Sequence, residues 1–177
     1  MPNSGENPID PTTPKSRLML GFSLRNRGGV CLMDGPDVKQ TWELPVAGAG
    51  WQVDSKALSD LIDEAAGGEK ILVAVEAPSG IPKGGLPHVY QYGFKAGIIK
   101  GIAVYAGHEV AVVKSNEWQN LYGLDKDAPQ SGHRKVVELY PEKEDLFKSN
   151  HPETSDAVFV ALTGGLKKKI IGLGELR

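Results

Sequence analysis

The sequence contains a single cysteine among its 177 residues, so no disulfide can form within the chain. Cys31 lies inside the apolar run 30–33, which predicts a small buried side chain. A chain without a disulfide framework is typical of a reducing compartment. No window reaches the length of about 20 apolar residues that a membrane span needs. We therefore expect a cytoplasmic protein that is not embedded in a membrane.

The sequence also lacks a large excess of charge of either sign, since its formal net charge is −2. This excludes a protein that coats nucleic acid through bulk positive charge. It leaves local recognition open, because an acidic site bordered by basic residues also gives a near-neutral total. With 40% hydrophobic residues, we expect residues 17–177 to form one domain. Residues 1–16 carry four prolines and no apolar run, which predicts a disordered tail.

Apolar runs, helical periodicity and turn residues predict the order of the elements. The predicted strands are 17–24, 30–33, 38–44, 71–75 and 110–113. The first predicted helix has its apolar stripe at 58–65, with Asp54 or Ser55 available to cap its start and Gly67-Gly68 to end it. The other predicted helices are 88–106, 116–122, 132–140 and 152–163. Three strands in hairpin succession, followed by parallel strands that alternate with helices, describe a mixed sheet covered by helices on its faces. The predicted fold class is α/β, with the ribonuclease H-like arrangement.

The predicted helix 88–106 is rich in small residues, namely Gly93, Ala96, Gly97, Gly101 and Ala103. Glycine costs about 1 kcal/mol relative to alanine in a helix interior. Several small residues together therefore predict that a neighbouring element packs closely against this helix.

Three acidic residues are candidate metal ligands. Glu153 and Asp156 lie three residues apart in the first turn of the last predicted helix, so their side chains point to one side. The helix dipole alone also favours acids at such positions. Glu76 directly follows a buried apolar run, and ligands of α/β sheets collect at the carboxyl ends of parallel strands. If the three acids converge, they suit phosphodiester hydrolysis assisted by Mg²⁺ or Mn²⁺.

Other site chemistries lack their motifs in this sequence. It has no cysteine and histidine spacing for zinc, no Gly-x-Ser-x-Gly turn and no complete phosphate-binding loop. A sugar-kinase-like or actin-like ATPase on the same fold is disfavoured, because the chain is too short and the phosphate loops are missing.

Five segments, in the same order, resemble the RuvC-type Holliday junction resolvases, particularly their phage branch. These segments are LMLGFSLRNRGGVCLMDG, VAVEAP, GFKAGIIKGIAVYAGHEVAVVKSNEWQNLYGL, RKVVELYP and HPETSDAVFVAL. The resemblance runs from about Leu18 to Gly164 and covers most of the chain. It implies a homodimeric, Mg²⁺-dependent endonuclease that acts on branched DNA, chiefly four-way junctions.

Carried over by position, the resemblance makes Glu76, Glu153 and Asp156 the catalytic metal ligands. Ser23 stands where the family places its first catalytic aspartate, which bridges the cations, and a hydroxyl has neither that charge nor that reach. Either the site works with fewer acids, or catalysis has been lost and the protein binds DNA or acts as a scaffold. A third interpretation is an engineered inactive variant.

Five basic residues near the expected site are candidates for contacts with DNA phosphates. Arg25 and Arg27 lie in the turn after Ser23, and Lys114 follows a strand as Glu76 does. Arg134 and Lys135 lie on a predicted helix near the site. Each of them also fits an ordinary solvated surface position.

Overall fold

The computed structural model describes residues 16–48, 51–80, 85–125, 128, 130–147 and 152–176. The strands are β1 (Leu18–Ser23), β2 (Gly29–Asp34), β3 (Asp37–Glu43), β4 (Leu72–Ala77) and β5 (Glu109–Lys114). The α-helices are α1 (Ser55–Ala66), α2 (Gly85–Tyr105), α3 (Ser115–Leu121), α4 (Ser131–Leu139) and α5 (Glu153–Lys167), with 3₁₀ helices at Pro141–Phe147 and Leu173–Glu175. The tail predicted at residues 1–16 lies, except for its last residue, outside the described residues.

The five strands form one mixed sheet in the order β3-β2-β1-β4-β5. The β1–β2 and β2–β3 pairs are antiparallel, and the β1–β4 and β4–β5 pairs are parallel. This confirms the predicted succession of three hairpin strands followed by parallel strands that alternate with helices. The sheet is therefore of the predicted α/β class.

Helices cover both faces of the sheet. Successive side chains of each strand point to opposite faces, so each strand contributes to the core on both sides. Met19 of β1 and Ala74 of β4 belong to the core beneath α5. Leu20 and Val73, their neighbours in sequence, belong to the core beneath α1 and α2. Continuing the alternation, Ser23 of β1 and Glu76 of β4 lie on the face that α5 covers.

The ends of α1 follow the predicted capping residues. The side chain of Asp54 accepts hydrogen bonds from two backbone N–H groups of the first turn, those of Lys56 and Ala57. Gly67 ends the helix with a φ of 57°, a left-handed conformation that favours glycine. Cys31 is buried as expected. No helix among the described residues is long and apolar enough to cross a membrane.

Two expectations about glycine are corrected. The last helix does not end near Thr163, because α5 continues through Gly164 and Gly165 to Lys167. A Cβ at Gly164 would lie 2.5 Å from the Cβ of Ala74, so glycine lets α5 pack closely on β4.

The glycines of α2 behave in the opposite way. Gly93, Gly97 and Gly101 have no described atom within 4 Å of an added Cβ, beyond their own chain neighbours and helix backbone. Within the described part of this chain, the predicted close neighbour is therefore not found at these three glycines, whereas Ala103 of the same helix is buried in the core.

Candidate functional site at the carboxyl end of the sheet

The acidic residues that the sequence singled out meet at the carboxyl ends of β1 and β4. Glu76 lies within β4 rather than directly after it, which corrects its predicted place. Glu153 and Asp156 lie in the first turn of α5, as predicted. All three are buried, with exposed fractions of 3%, 3% and 2%, and Ser23 at the end of β1 is fully buried beside them. We call Glu76, Glu153 and Asp156 the carboxylate cluster.

Two glycines allow α5 to bring its acids down onto the sheet. A Cβ at Gly21 would lie 2.7 Å from the backbone N of Ala161, and a Cβ at Gly29 would overlap the backbone of Glu153. Larger residues at these positions would push α5 away from the strands. The position of the cluster therefore depends on glycine in β1 and β2 as well as on the acids themselves.

The chain itself supplies hydrogen-bond donors to Glu76. The hydroxyl of Ser23 donates to Oε2 at 3.1 Å, and the backbone N–H of Leu24 donates to the same oxygen at 2.9 Å. The hydroxyl of Ser115 donates to Oε1 at 2.9 Å. Ser23 is thus a donor to the neighbouring carboxylate.

Asp156 forms an ion pair with Arg25, whose Nη2 contacts Oδ2. Its other oxygen, Oδ1, lies against Gly132 of α4, where an added Cβ would overlap it. Burial raises the pKa of Asp156 to about 7, against the opposing charge of Arg25 and with a smaller contribution from Glu76. The acids therefore lie near enough to disfavour one another's ionisation.

Glu153 accepts a hydrogen bond from Nδ2 of Asn26 at 2.6 Å. Behind Asn26 lies Lys95 of α2, which is only 2% exposed. Its Nζ donates to the carbonyl oxygens of Asn26 at 2.6 Å and Leu24 at 3.5 Å. Burial lowers the pKa of Lys95, and the charge of Glu153 opposes that shift.

The carboxylate oxygens of the cluster are ligands that suit a hard divalent cation, but they are not arranged so as to bind one together. In the described residues, no three histidine, cysteine, aspartate or glutamate side chains are placed so that they could hold a metal ion. Each acid is instead bonded to a donor of the chain. The assignment of these residues as metal ligands stays a prediction.

The five candidate DNA contacts have different environments. Arg25 is engaged by Asp156, and its side chain is 35% exposed. Arg27 is 70% exposed, 3.9 Å from Glu43. Lys114 is the last residue of β5 rather than a residue after it, and it is exposed, as is Arg134 of α4. Lys135 forms an ion pair with Glu138 at 2.8 Å. Their contacts with DNA stay predictions.

Four residues of the site were missed by sequence reasoning: Asn26, Lys95, Ser115 and Gly132. Only Lys95 carried a signal in the sequence. It falls on the buried stripe of α2 with Ile99 and Ala103, four and eight residues further on. A lysine on such a stripe is rarely buried without a partner, so it indicates a polar site.

The sequence matches no protein-family model and no curated protein. The structure is similar to that of Thermus thermophilus RuvC, with a TM-score of 0.57 and 17% identity over 86% of this chain and 96% of that chain. It is also similar to T. thermophilus RuvC in complex with a Holliday junction substrate, with a TM-score of 0.55 and 14% identity over 86% of this chain and 95% of that one. The chain therefore has the ribonuclease H-like fold of RuvC, as its five sequence segments predicted.

Proposed function

We propose that this protein binds branched DNA, in particular four-way junctions, with the carboxyl end of its sheet facing the DNA. The observation that carries this proposal is the shared fold over 86% of the chain with a RuvC in complex with a Holliday junction substrate. Exposed basic residues at that end of the sheet, Arg27 and Lys114, provide charge for phosphate contacts.

Binding of this kind depends on charges near the site rather than on the net charge of the protein. The net charge of −2 gives no general attraction to DNA, so affinity depends on the few basic residues beside the site. Each phosphate that a basic side chain neutralises releases counterions and steepens the dependence of affinity on salt. We expect a shallow salt dependence that corresponds to a small number of phosphate contacts.

A homodimer suits this substrate, because a four-way junction has two-fold symmetry and a two-fold dimer presents two equivalent sites to it. The exposed face of α2 supports dimerisation. It carries large apolar side chains at Leu86, Tyr90, Phe94, Val104 and Tyr105. The glycines of α2 are open to close approach along the same helix. We propose that this α2 face packs against the α2 face of a second copy.

Metal-dependent cleavage of the junction strands is the second candidate function. The observation that favours it is the burial of Glu76, Glu153 and Asp156 together at one end of the sheet, with the pKa of Asp156 raised by burial, since perturbed acids of this kind are typical of functional sites. Two observations favour binding without cleavage instead. The strand β1 ends in the neutral Ser23, which donates to Glu76, and Arg25 is paired with Asp156.

A synthetic four-way junction and a linear duplex of equal length test the proposal. Fluorescence anisotropy at low salt in EDTA is expected to show binding of the junction at least about tenfold tighter, equivalent to about 1.4 kcal/mol. Mg²⁺ or Mn²⁺ added to the bound junction then tests cleavage on a denaturing gel. Equal affinity for the two DNAs, or no binding to either, would contradict the proposal.

A matched pair of lysine variants tests which end of the sheet contacts DNA. Lys114 is the last residue of β5, whereas Lys70 precedes β4 at the opposite end, and both are exposed. Lys114→Gln is expected to weaken junction binding several-fold, whereas Lys70→Gln, with the same change of charge, is expected to leave it unchanged. An equal loss in both variants would mean that the protein presents no particular end to the DNA.

A further inference from the structure

We infer that two basic residues of the chain, Arg25 and Lys95, are the resident cations of the carboxylate cluster, and that the cluster therefore does not take up a pair of divalent ions. The inference concerns the protein without DNA and stands or falls independently of junction binding. It is carried by the contacts of the turn between β1 and β2, by the charge balance of the cluster and by the orientation of Asp156.

Three consecutive residues of that turn each donate to a different acid of the cluster. The backbone of Leu24 donates to Glu76, the guanidinium of Arg25 to Asp156 and the amide of Asn26 to Glu153. Asn26 has a φ of 48°, in the left-handed region that asparagine tolerates better than most residues. The turn is therefore shaped so that its successive donors reach all three acids.

Lys95 of α2 stabilises the backbone of this turn. Its buried Nζ donates to the carbonyl oxygens of Leu24 and Asn26, the residues on either side of Arg25. Arg25 thus projects from a backbone segment that is fixed at both flanks, and its pairing with Asp156 is not that of a loosely held surface side chain. Lys95 also places a second positive charge next to the cluster, where it interacts with Glu153.

The charge balance leaves little room for metal ions. Three carboxylates carry three negative charges when ionised, and Arg25 with Lys95 supplies two positive ones. Two divalent ions would bring four more positive charges to a buried site that lacks the family's first acid, since Ser23 is neutral. Uncompensated charge in a buried site is strongly unfavourable. With a neutral residue at position 23, the positive charges of Arg25 and Lys95 therefore nearly balance the three carboxylates without metal ions.

The orientation of Asp156 leads to the same conclusion. One of its oxygens is bonded to Arg25, and the other lies against Gly132. Hard divalent cations need several free oxygen ligands at short distance. To bind one, Asp156 would have to leave the guanidinium and turn away from α4.

The experiment measures Mn²⁺ binding to the full chain without DNA, by isothermal titration calorimetry and by the shift in melting temperature. The wild-type protein is expected to show no saturable binding at millimolar Mn²⁺ and no rise in melting temperature. Saturable binding to the wild type that Glu76→Gln abolishes would overturn the inference. This measurement does not depend on any variant that alters the turn.

Two variants test the cause. Arg25→Gln is expected to gain a Mn²⁺-dependent rise in melting temperature, and the double variant Ser23→Asp with Arg25→Gln a larger one, because it restores the fourth acid. The matched control is Arg17→Gln, which removes an arginine paired with Glu175 at the amino end of β1. It is expected to gain no response to Mn²⁺.

The variants and the DNA assays separate the possible failures. Absence of any Mn²⁺ response in the double variant, with folding confirmed by circular dichroism, would count against Arg25 as the group that excludes metal. Junction binding is measured in EDTA, so its loss would contradict the proposed function and leave the inference about the cations intact.

Discussion

The buried acids at the carboxyl end of the sheet are satisfied by donors of the chain, most of them in the turn after β1. Glu76 alone receives three hydrogen bonds, from Ser23, Leu24 and Ser115. An unpaired buried carboxylate costs several kcal/mol in effective terms, whereas one with several donors is tolerated. Single substitutions at the site therefore act on stability as well as on chemistry, and the two effects need separate measurements.

His108, at the opposite end of the sheet from the carboxylate cluster, gives the protein a predictable response to pH. Burial lowers its pKa, with a further lowering by Lys70 and an opposing effect of Asp63. In the unfolded chain the imidazole binds its proton near the ordinary pKa of about 6.5. The unfolded state therefore binds this proton more readily, and the contribution of His108 to the free energy of unfolding is expected to fall as the pH drops from about 6.5 through the lowered pKa. The raised pKa of Asp156 acts in the opposite direction, so the His108 part is obtained by difference from a variant.

The measurement is urea unfolding of the wild type and of His108→Gln at about pH 7.5 and about pH 5.5, and the wild type is expected to lose more stability, or gain less, at the lower pH than the variant does. His108→Gln is expected to remove that part of the pH dependence. His88→Gln, at the exposed start of α2, is the control and is expected to keep it. A pH dependence that is unchanged in His108→Gln would show that other groups are responsible.

For single residues, the sequence identifies the acids of the site better than it identifies their hydrogen-bond partners. Glu153 and Asp156 could be paired from their spacing on one helix, since that spacing is local. Asn26 and Ser115 could not be assigned, because their contacts with Glu153 and Glu76 join segments far apart in the chain. Arg25 was predicted to contact DNA, and no pattern in the sequence indicated that Asp156 would engage it.

Among the elements, α5 is the one on which the fold and the site both depend. Every residue from Glu153 to Gly165 is buried, because the sheet covers one side of the helix and α3 and α4 contact it elsewhere. The sequence of a helix in such a position has apolar residues on all sides rather than along one stripe. Small residues in the strands and in α5 let the two layers approach each other closely.

Gly21→Ala tests this close contact between β1 and α5. The added methyl would lie 2.7 Å from the backbone N of Ala161 and 2.8 Å from its Cβ, so α5 must shift. Overpacking of this kind costs about 1 to 3 kcal/mol, which we expect as a loss in the free energy of urea unfolding. Gly174→Ala is the matched control, because no described atom beyond its chain neighbours lies within 4 Å of its added methyl. Equal stability of the two variants would mean that the layers can separate without cost.

The order of strands and helices could be predicted because hydrophobic period and capping residues act over a few positions, as Asp54 and Gly67 show at the ends of α1. The end of α5 could not. Gly164 and Gly165 resemble a helix stop in the sequence, and only the proximity of Ala74 reveals that they serve packing.

The molecule as a whole exposes several large apolar side chains along α2, with Leu86 74%, Tyr90 63% and Tyr105 96% exposed. Large contiguous apolar patches on soluble proteins mark interaction sites. The fold class and the order of the elements along the chain followed from the sequence, whereas the order of strands in the sheet and the exposed α2 face did not. The glycines of α2 predicted a closely packed neighbour that the described part of the chain does not supply. Dimerisation through this face would supply that neighbour from a second copy.

Gly97→Arg tests the dimer. The position is exposed and open, so the substitution leaves the core of one copy undisturbed but places a long charged side chain in the middle of the α2 face. We expect the mass from light scattering coupled to size-exclusion chromatography to fall by about half, from dimer to monomer. Asn120→Arg, exposed on α3 and with the same change of charge, is expected to remain dimeric. A wild-type protein that is already monomeric at micromolar concentration would refute the proposed interface.

The position of α5 in the chain has a consequence for how the protein is made. The helix follows all five strands in sequence, yet it contacts β1, β2, β4 and β5. A ribosome therefore completes the entire sheet before the helix that covers one face of it emerges. Until then the apolar side chains beneath α5 stay open to solvent and to chaperones, and two acids of the cluster are not yet present. Such long-range closure is typical of slow folding, so assembly of the site and completion of the core are one late event.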